Sequence, residues 1–346
     1  MGDAILAPRK PSAGVNRPRT GPNVSAVPRT SFVTRYDFRA PGATPDQRRE
    51  LFARALEQAA YVDEHGHDAL MLSEHHVSDD GYLPSPIPVA AAVAAVTKRI
   101  PITISALLVN LYDPLRLAED LAVLDHLSGG RVSHTLGLGY RREEYAAFGV
   151  AWETRGRDIE ERITRMLSAW ETGEVTPAPY TQPHPFLFYG GGSLAAARRA
   201  GRLGLHFQPQ HADPSLKAAY EEECRAHGRE PGFVMLAPPG PAYVFCAEDP
   251  DRFWTEHGRH LLADATSYAE WHGANASYVI DASTTVEEMR AAGVYVVLTA
   301  DELVERCRSR EIRLVTCHPA CGGLPAEPSW ESLRLISETV LPAVRA

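Results

Sequence analysis

From Ser31 onward, short apolar runs alternate with longer stretches whose apolar residues recur every three or four positions. Residues 32–38 predict a first strand, ended by Pro41 and Gly42. Thr44 then offers an N-cap, Pro45 the first helical position and Gln47 the third, together a capping-box start. Phe52, Ala55, Leu56, Ala59 and Val62 give that helix one apolar face, and Gly66 a left-handed stop. Ala69, Leu70, Met71, Leu72 and Ser73 follow with no polar alternation, as in a parallel strand buried on both faces.

The same unit repeats along the chain. Helices are predicted over 89–97, 114–126, 155–170 and 194–202, and strands over 100–108, 132–138, 186–189 and 205–208. A later strand falls at 233–236 or at 243–246, a last one at 312–316, and a helix over 330–344 closes the chain. Strand and helix in alternation predict parallel βαβ units. Seven or eight of them favour an α/β fold of the closed (β/α)8 TIM-barrel kind, with insertions, over an open sheet. No linker rich in Pro, Gly or Ser divides the pattern, so residues 32–346 read as one domain. Residues 247–298 fit least well: Phe253, His257, His260, Leu261 and Ala265 suggest a helix, followed by an insertion. Residues 1–31 carry prolines and arginines without an apolar run, and read as a disordered arm and not a secretory signal.

Composition narrows the function. With 44% hydrophobic and 23% charged residues, the 346-residue chain has the make-up of a soluble protein with a sizeable core. Its net charge of −9 argues against a nucleic-acid partner. No apolar run reaches the roughly 18 residues of a membrane span. The five cysteines, odd in number and widely spaced, predict reduced thiols in a cytoplasmic protein.

In a parallel barrel the chemistry sits just after the strands. Glu74, His75 and His76 follow the second one, and a carboxylate beside two imidazoles can set a ring's tautomer and move its pKa. The plainer alternative is a histidine packed against a loop. Metal ligation is disfavoured, because neighbouring strand-end side chains diverge and no third ligand is in evidence. The run Gly190, Gly191, Gly192, Ser193 leads from strand into helix, where bare backbone and helix amides suit a phosphate; a tight turn with an N-cap serine is the alternative. Cys317, His318 and Cys321 follow the last strand but lack the second ligand pair of a structural zinc site. They read as an ordered loop, with His318 a candidate for the border of a substrate pocket. His257 and His260, one turn apart, read as surface or lining residues.

Several motifs coincide: Leu72-Ser73-Glu74-His75-His76, Leu83-Pro84-Ser85-Pro86, Asp113-Pro114-Leu115-Arg116 and Ala118-Glu119-Asp120. Leu124-Asp125-His126-Leu127-Ser128-Gly129-Gly130-Arg131 then feeds a strand that ends in Gly137-Leu138-Gly139-Tyr140. With the Gly190–Ser193 turn and the Cys321-Gly322-Gly323-Leu324-Pro325 tail, the chain over 32–346 resembles the bacterial luciferase-like monooxygenase family. The resemblance implies a TIM-like barrel with reduced flavin over the strand ends and the flavin phosphate at Gly190, Gly191, Gly192 and Ser193. It makes His75 the catalytic acid/base, oriented by Glu74 or His76. It also implies a non-prolyl cis peptide under the flavin, at Ser105-Ala106 or Ala106-Leu107. Leu138 stands where luciferases carry a phosphate-holding arginine, leaving Arg141 or Arg142 to compensate, and the segment 171–185 is short.

The function so implied is two-component oxygenation of a small organic substrate. A flavin reductase supplies reduced FMN (FMNH2), O2 reacts with it, and the barrel excludes water. The alternatives are hydride transfer with coenzyme F420 and a non-catalytic flavin-binding barrel. A homodimer is expected on the resemblance alone.

Overall fold

The computed structural model describes residues 29–272 and 277–346. The arm expected over 1–31 lies outside them as far as residue 28, and the first strand already begins at Ser31. Strands β1 (Ser31–Tyr36), β2 (Ala69–Leu72), β3 (Ile102–Leu108), β4 (Val132–Gly137), β5 (Phe186–Gly191) and β6 (His206–Pro209) form the first part of the molecule. Between and after them run helices α1 (Pro45–Glu64), α2 (Pro86–Val96), α3 (Pro114–Ser128), α4 (Arg142–Ala147), α5 (Arg155–Glu171), α6 (Leu194–Leu203) and α7 (Pro214–Ala226). Then come β7 (Tyr243–Cys246), α8 (Pro250–His272), α9 (Val286–Ala292), β8 (Tyr295–Leu298), α10 (Ala300–Arg308) and β9 (Leu314–Cys317). The chain closes through α11 (Ala326–Arg334), a π-helical turn over Leu335–Val340, and α12 (Leu341–Arg345).

Seven strands make one curled parallel sheet in the order β6-β5-β4-β3-β2-β1-β9. β7 pairs with β8 in parallel and lies against β9, while Phe207 of β6 bridges in parallel to Val234. This is the α/β, (β/α)8-type barrel that the alternation predicts. The core runs along the strands and under the helices, with Phe32, Leu70, Ile104, Leu136, Tyr189 and Phe207 all buried.

Local signals set the boundaries. Gln47 N–H donates to Thr44 Oγ1 at 3.3 Å and Thr44 N–H to Gln47 Oε1 at 2.9 Å, the reciprocal box predicted at the start of α1. Asp113 caps α3 by accepting from the amides of Leu115 and Arg116, and Gly129 ends that helix in the left-handed region. Of the two later-strand alternatives, 243–246 is the strand, and 233–236 contributes only the bridge at Val234. Residues 247–298 hold α8, α9 and β8, so a further βα unit stands where an insertion was expected. Helix α7, absent from the sequence reading, starts at a proline and buries Leu216, Ala219, Tyr220 and Cys224. Burying these four side chains against the barrel is what holds it.

One strand residue makes a testable demand on pH. His134 of β4 is fully buried, neither ring nitrogen has a partner, and burial lowers its pKa to about 3. The unfolded chain takes up a proton near pH 6.5 that the folded chain refuses. The stability this gives is therefore present above 6.5 and lost as pH falls below it. Between that pH and about 5, the wild type is expected to lose up to ~1.4 kcal/mol per pH unit more than His134→Leu in urea unfolding. Parallel pH profiles for the two proteins would exclude His134 as the titrating group.

Candidate active site

The residues after β2 and β4 meet at the C-terminal end of the sheet, where parallel barrels keep their chemistry. Glu74, His75 and His76 leave β2 and are all buried. Tyr140 and Arg141 lead from β4 into the short helix α4, whose Glu144 is fully buried. Glu144 Oε1 accepts from His75 Nδ1 at 2.8 Å, from the His76 amide at 2.9 Å, and from Arg141 at 3.4 Å. The sequence sought a partner for His75 in Glu74 or His76; the side chain bonded to its Nδ1 is Glu144.

Glu74 has different work. Its Oε1 accepts from His76 Nε2 at 2.8 Å and Tyr112 Oη at 2.7 Å, and its Oε2 from the Leu108 amide at 2.7 Å. It ties the loop after β2 to the end of β3. Arg141 closes the loop from the other side by donating to the His76 carbonyl at 2.6 Å.

The charges follow from these bonds. Burial raises the Glu144 pKa, but the hydrogen bonds from His75 and the His76 amide outweigh it and hold the carboxyl below its usual range. Burial lowers the His75 pKa against the pull of Glu144, so the ring is neutral at pH 7. An ionised carboxylate only accepts, which places the His75 proton on Nδ1 and leaves Nε2 a lone pair. Tyr140 Oη donates to that Nε2 at 2.9 Å.

Aromatic rings wall the histidine in: Tyr82, Trp271 and Tyr140 have centroids 4.8, 5.0 and 5.1 Å from it. The Arg39 guanidinium lies 4.2–4.8 Å from the rings of Tyr268, Trp271 and Tyr82, and Arg141 lies 4.1 Å from Trp271. Arg39 is bonded to Asp264 Oδ1 at 3.1 Å and faces Asp80 at 3.2 Å. Sequence reasoning missed Arg35, Asp37 and Arg39. A signal existed, since they alternate with Tyr36 and Phe38 at strand period on the way out of β1.

The peptide between Ser105 and Ala106 is cis, the first of the two positions that the resemblance implies. The pairing of β3 with β4 shifts register there, and Ser105 Oγ donates to Gln208 Oε1 at 3.4 Å. At the end of β5 the backbone is closely hemmed. A methyl group on Gly190 would lie 2.8 Å from Thr135 Cγ2, one on Gly191 2.6 Å from Ala196 Cβ, and one on Gly192 2.9 Å from Gln210 Oε1. Ser193 then caps α6 by accepting from the Ala196 amide at 3.2 Å. Bare backbone leading into a capped ten-residue helix is a donor set that fits a phosphate arm. Leu138 is partly buried against the core and supplies no charge. Of the arginines expected to compensate, Arg141 is committed to Glu144, His76 and Trp271, and Arg142 is exposed beside Glu153 and Trp152.

The tail cluster after β9 is an ordered, buried network. His318 Nε2 sits 3.1 Å from Asp37 and 3.0 Å from Arg35, which is also bonded to Tyr268. Burial raises the Asp37 pKa, yet His318 and Arg35 together hold it well below the carboxylate range. Asp264, His318 and Cys321 lie close enough to share an ion. However, Asp264 already accepts from Arg39 and Tyr295, and the Arg35 cation abuts His318. Burial raises the Cys317 pKa to about 12 and that of Cys321 well above its usual value, so neither is a ready thiolate. All five cysteines are buried and unbridged. His257 and His260 lie on α8, where His260 Nδ1 meets the Gly322 carbonyl at 3.0 Å.

A barrel with a histidine–glutamate pair at its strand ends, a cis peptide at the end of β3 and a glycine turn after β5 defines a class. The Luciferase-like monooxygenase family matches residues 31–307, and the chain belongs to that family, which places it among enzymes. The FMNH2-dependent dimethylsulfone monooxygenase of Pseudomonas putida is 27% identical over 207 residues, 55% of this chain and 55% of that protein. The chain spans about half the length of the curated relatives it matches. Among solved structures, monooxygenase RslO1 from Streptomyces bottropensis aligns with TM-score 0.69 and 23% identity, over 90% of this chain and 99% of that one. An F420-dependent secondary alcohol dehydrogenase aligns with TM-score 0.62 and 20% identity, over 92% and 100%. No helix among the described residues is long and apolar enough to cross a membrane.

Proposed function

We propose that this enzyme is an FMNH2-dependent monooxygenase that inserts oxygen into a small organic substrate, with residues 32–346 acting as one domain. The observation that carries this reading is the buried Glu144–His75 pair, with its proton fixed on Nδ1 and its basic nitrogen directed at Tyr140. Bound FMNH2 would supply the reducing power that activates O2. The turn Gly190, Gly191, Gly192 and Ser193 would hold its phosphate, and the Ser105-Ala106 peptide would support its ring. His75 serves as acid/base, Glu144 holds its tautomer, and Glu74 holds His76 and the end of β3. Tyr82 and Trp271 keep water from the histidine. The partners of this reading are O2, a separate flavin reductase and a second copy of the chain, in the cytoplasm.

Support for FMN over coenzyme F420 comes from the relative matched by sequence, whose activity is FMNH2-dependent, whereas the likeness to an F420 enzyme is one of fold. Anaerobic titration with FMNH2, and separately with reduced F420, tests the reading. Saturable binding of FMNH2 with O2 uptake on admitting air is the expected result. Tight binding of F420 alone would move the protein to hydride transfer. Binding of FMNH2 with no O2 uptake would leave a flavin-binding barrel without chemistry.

A further inference from the structure

His75 has two nitrogens, and both are taken. Nδ1 donates to Glu144 at 2.8 Å, and Nε2 faces the Tyr140 hydroxyl at 2.9 Å. The ring itself is only 6% exposed and is enclosed by Tyr82, Tyr140 and Trp271, whereas Tyr140 is only partly buried. Of the two side chains, Tyr140 has the larger exposed surface, and its hydroxyl is bonded to the nitrogen that would carry the exchange.

We propose that Tyr140 is the residue that exchanges the proton with the reacting group, and that His75 and Glu144 act through it as a relay. The inference rests on the flavin reading above and changes which atom does the contact chemistry. The step balances simply. The reacting group loses a proton to Tyr140 Oη, while the proton already on Oη passes to His75 Nε2. His75 becomes an imidazolium, and the buried Glu144 carboxylate beside Nδ1 stabilises the new charge. Tyr140 ends the step as it began, and the net transfer is one proton from the reacting group to His75.

Position supports the assignment. Tyr140 directly follows Gly139, whose φ of 78° turns the chain at the end of β4. That bend carries the tyrosine back over the loop after β2, and α4 then delivers Glu144 to the far side of the same imidazole. Both ends of the relay thus come from one nine-residue stretch, Gly137-Leu138-Gly139-Tyr140-Arg141-Arg142-Glu143-Glu144-Tyr145. Tyr145 pins that stretch by donating to the Leu138 carbonyl.

Two measurements on the full chain test the relay. The first is the rate at which bound FMNH2 is reoxidised by O2 without substrate, a process in which the flavin must give up protons. Tyr140→Phe and His75→Gln are each expected to slow it by about tenfold or more, and the double variant to be no slower than the worse single one, because the residues act as a unit. Unchanged reoxidation in Tyr140→Phe beside a slowed His75→Gln would overturn the relay and leave His75 acting directly. Multiplied effects in the double variant would overturn it as well.

The second measurement is the 15N spectrum of histidine-labelled protein, compared with that of Tyr140→Phe, which needs no cofactor and no turnover. The relay requires a neutral His75 protonated on Nδ1, with an Nε2 shift displaced by an accepted hydrogen bond and moved towards the free-imidazole position in Tyr140→Phe. A proton on Nε2, or an Nε2 shift indifferent to Tyr140→Phe, would overturn it. Failure to bind FMNH2 would instead sink the flavin reading, with the spectrum still deciding the relay.

Discussion

Glu144→Ala is expected to lower stability by about 3–5 kcal/mol, the range for breaking a buried charge pair from one side. Three donors converge on the single oxygen Oε1: His75 Nδ1, the His76 amide and Arg141. Alanine leaves all three buried, and the Arg141 guanidinium keeps only the His76 carbonyl and the face of Trp271. Urea unfolding at neutral pH measures the loss directly. A cost below about 1 kcal/mol would mean that the loops after β2 and β4 relax apart easily, and that the pair is not the brace its geometry suggests.

His75→Ala is expected to leave the fold and FMNH2 affinity intact and to lower product formation by about 10²- to 10⁴-fold, the usual contribution of a positioned acid/base. The turn proposed to hold the phosphate lies on β5 and α6, away from this side chain in the chain and in the sheet order, so on that proposal binding has its own supports. The histidine role is wrong if the variant turns over any accepted substrate at the wild-type rate.

How far the sequence carries differs by element. The βα alternation, the capping box at Thr44 and the runs at β2 and β4 were legible, because strand burial and helix periodicity are local properties. Helix α7 carried the same kind of signal, an Asp213-Pro214 start and an apolar face at Leu216, Ala219 and Tyr220, and was readable though passed over. Residues 247–298 were harder. β8 is only four residues long, too short for its run to be told from helix or loop. At the site, Glu74, His75 and His76 were conspicuous, and the cis peptide came through the resemblance and not from any period. Glu144 was not legible. It sits in a run Arg141-Arg142-Glu143-Glu144 that reads as a solvated charged face, on a six-residue helix with no period to display. Only the folded chain shows that Arg141 and Glu144 are buried, with Glu144 bonded to a histidine 69 residues away.

That separation has a consequence for how such barrels can be altered. Loops on a (β/α)8 scaffold are commonly treated as exchangeable parts, each swapped without regard to its neighbours. Here the loop after β2 brings the histidine while the loop after β4 brings the carboxylate bonded to it, so the two form one inheritable unit. A chimera that imports either loop alone will carry a histidine without its anion or an anion without its histidine. Only an exchange of both together preserves the bonded pair.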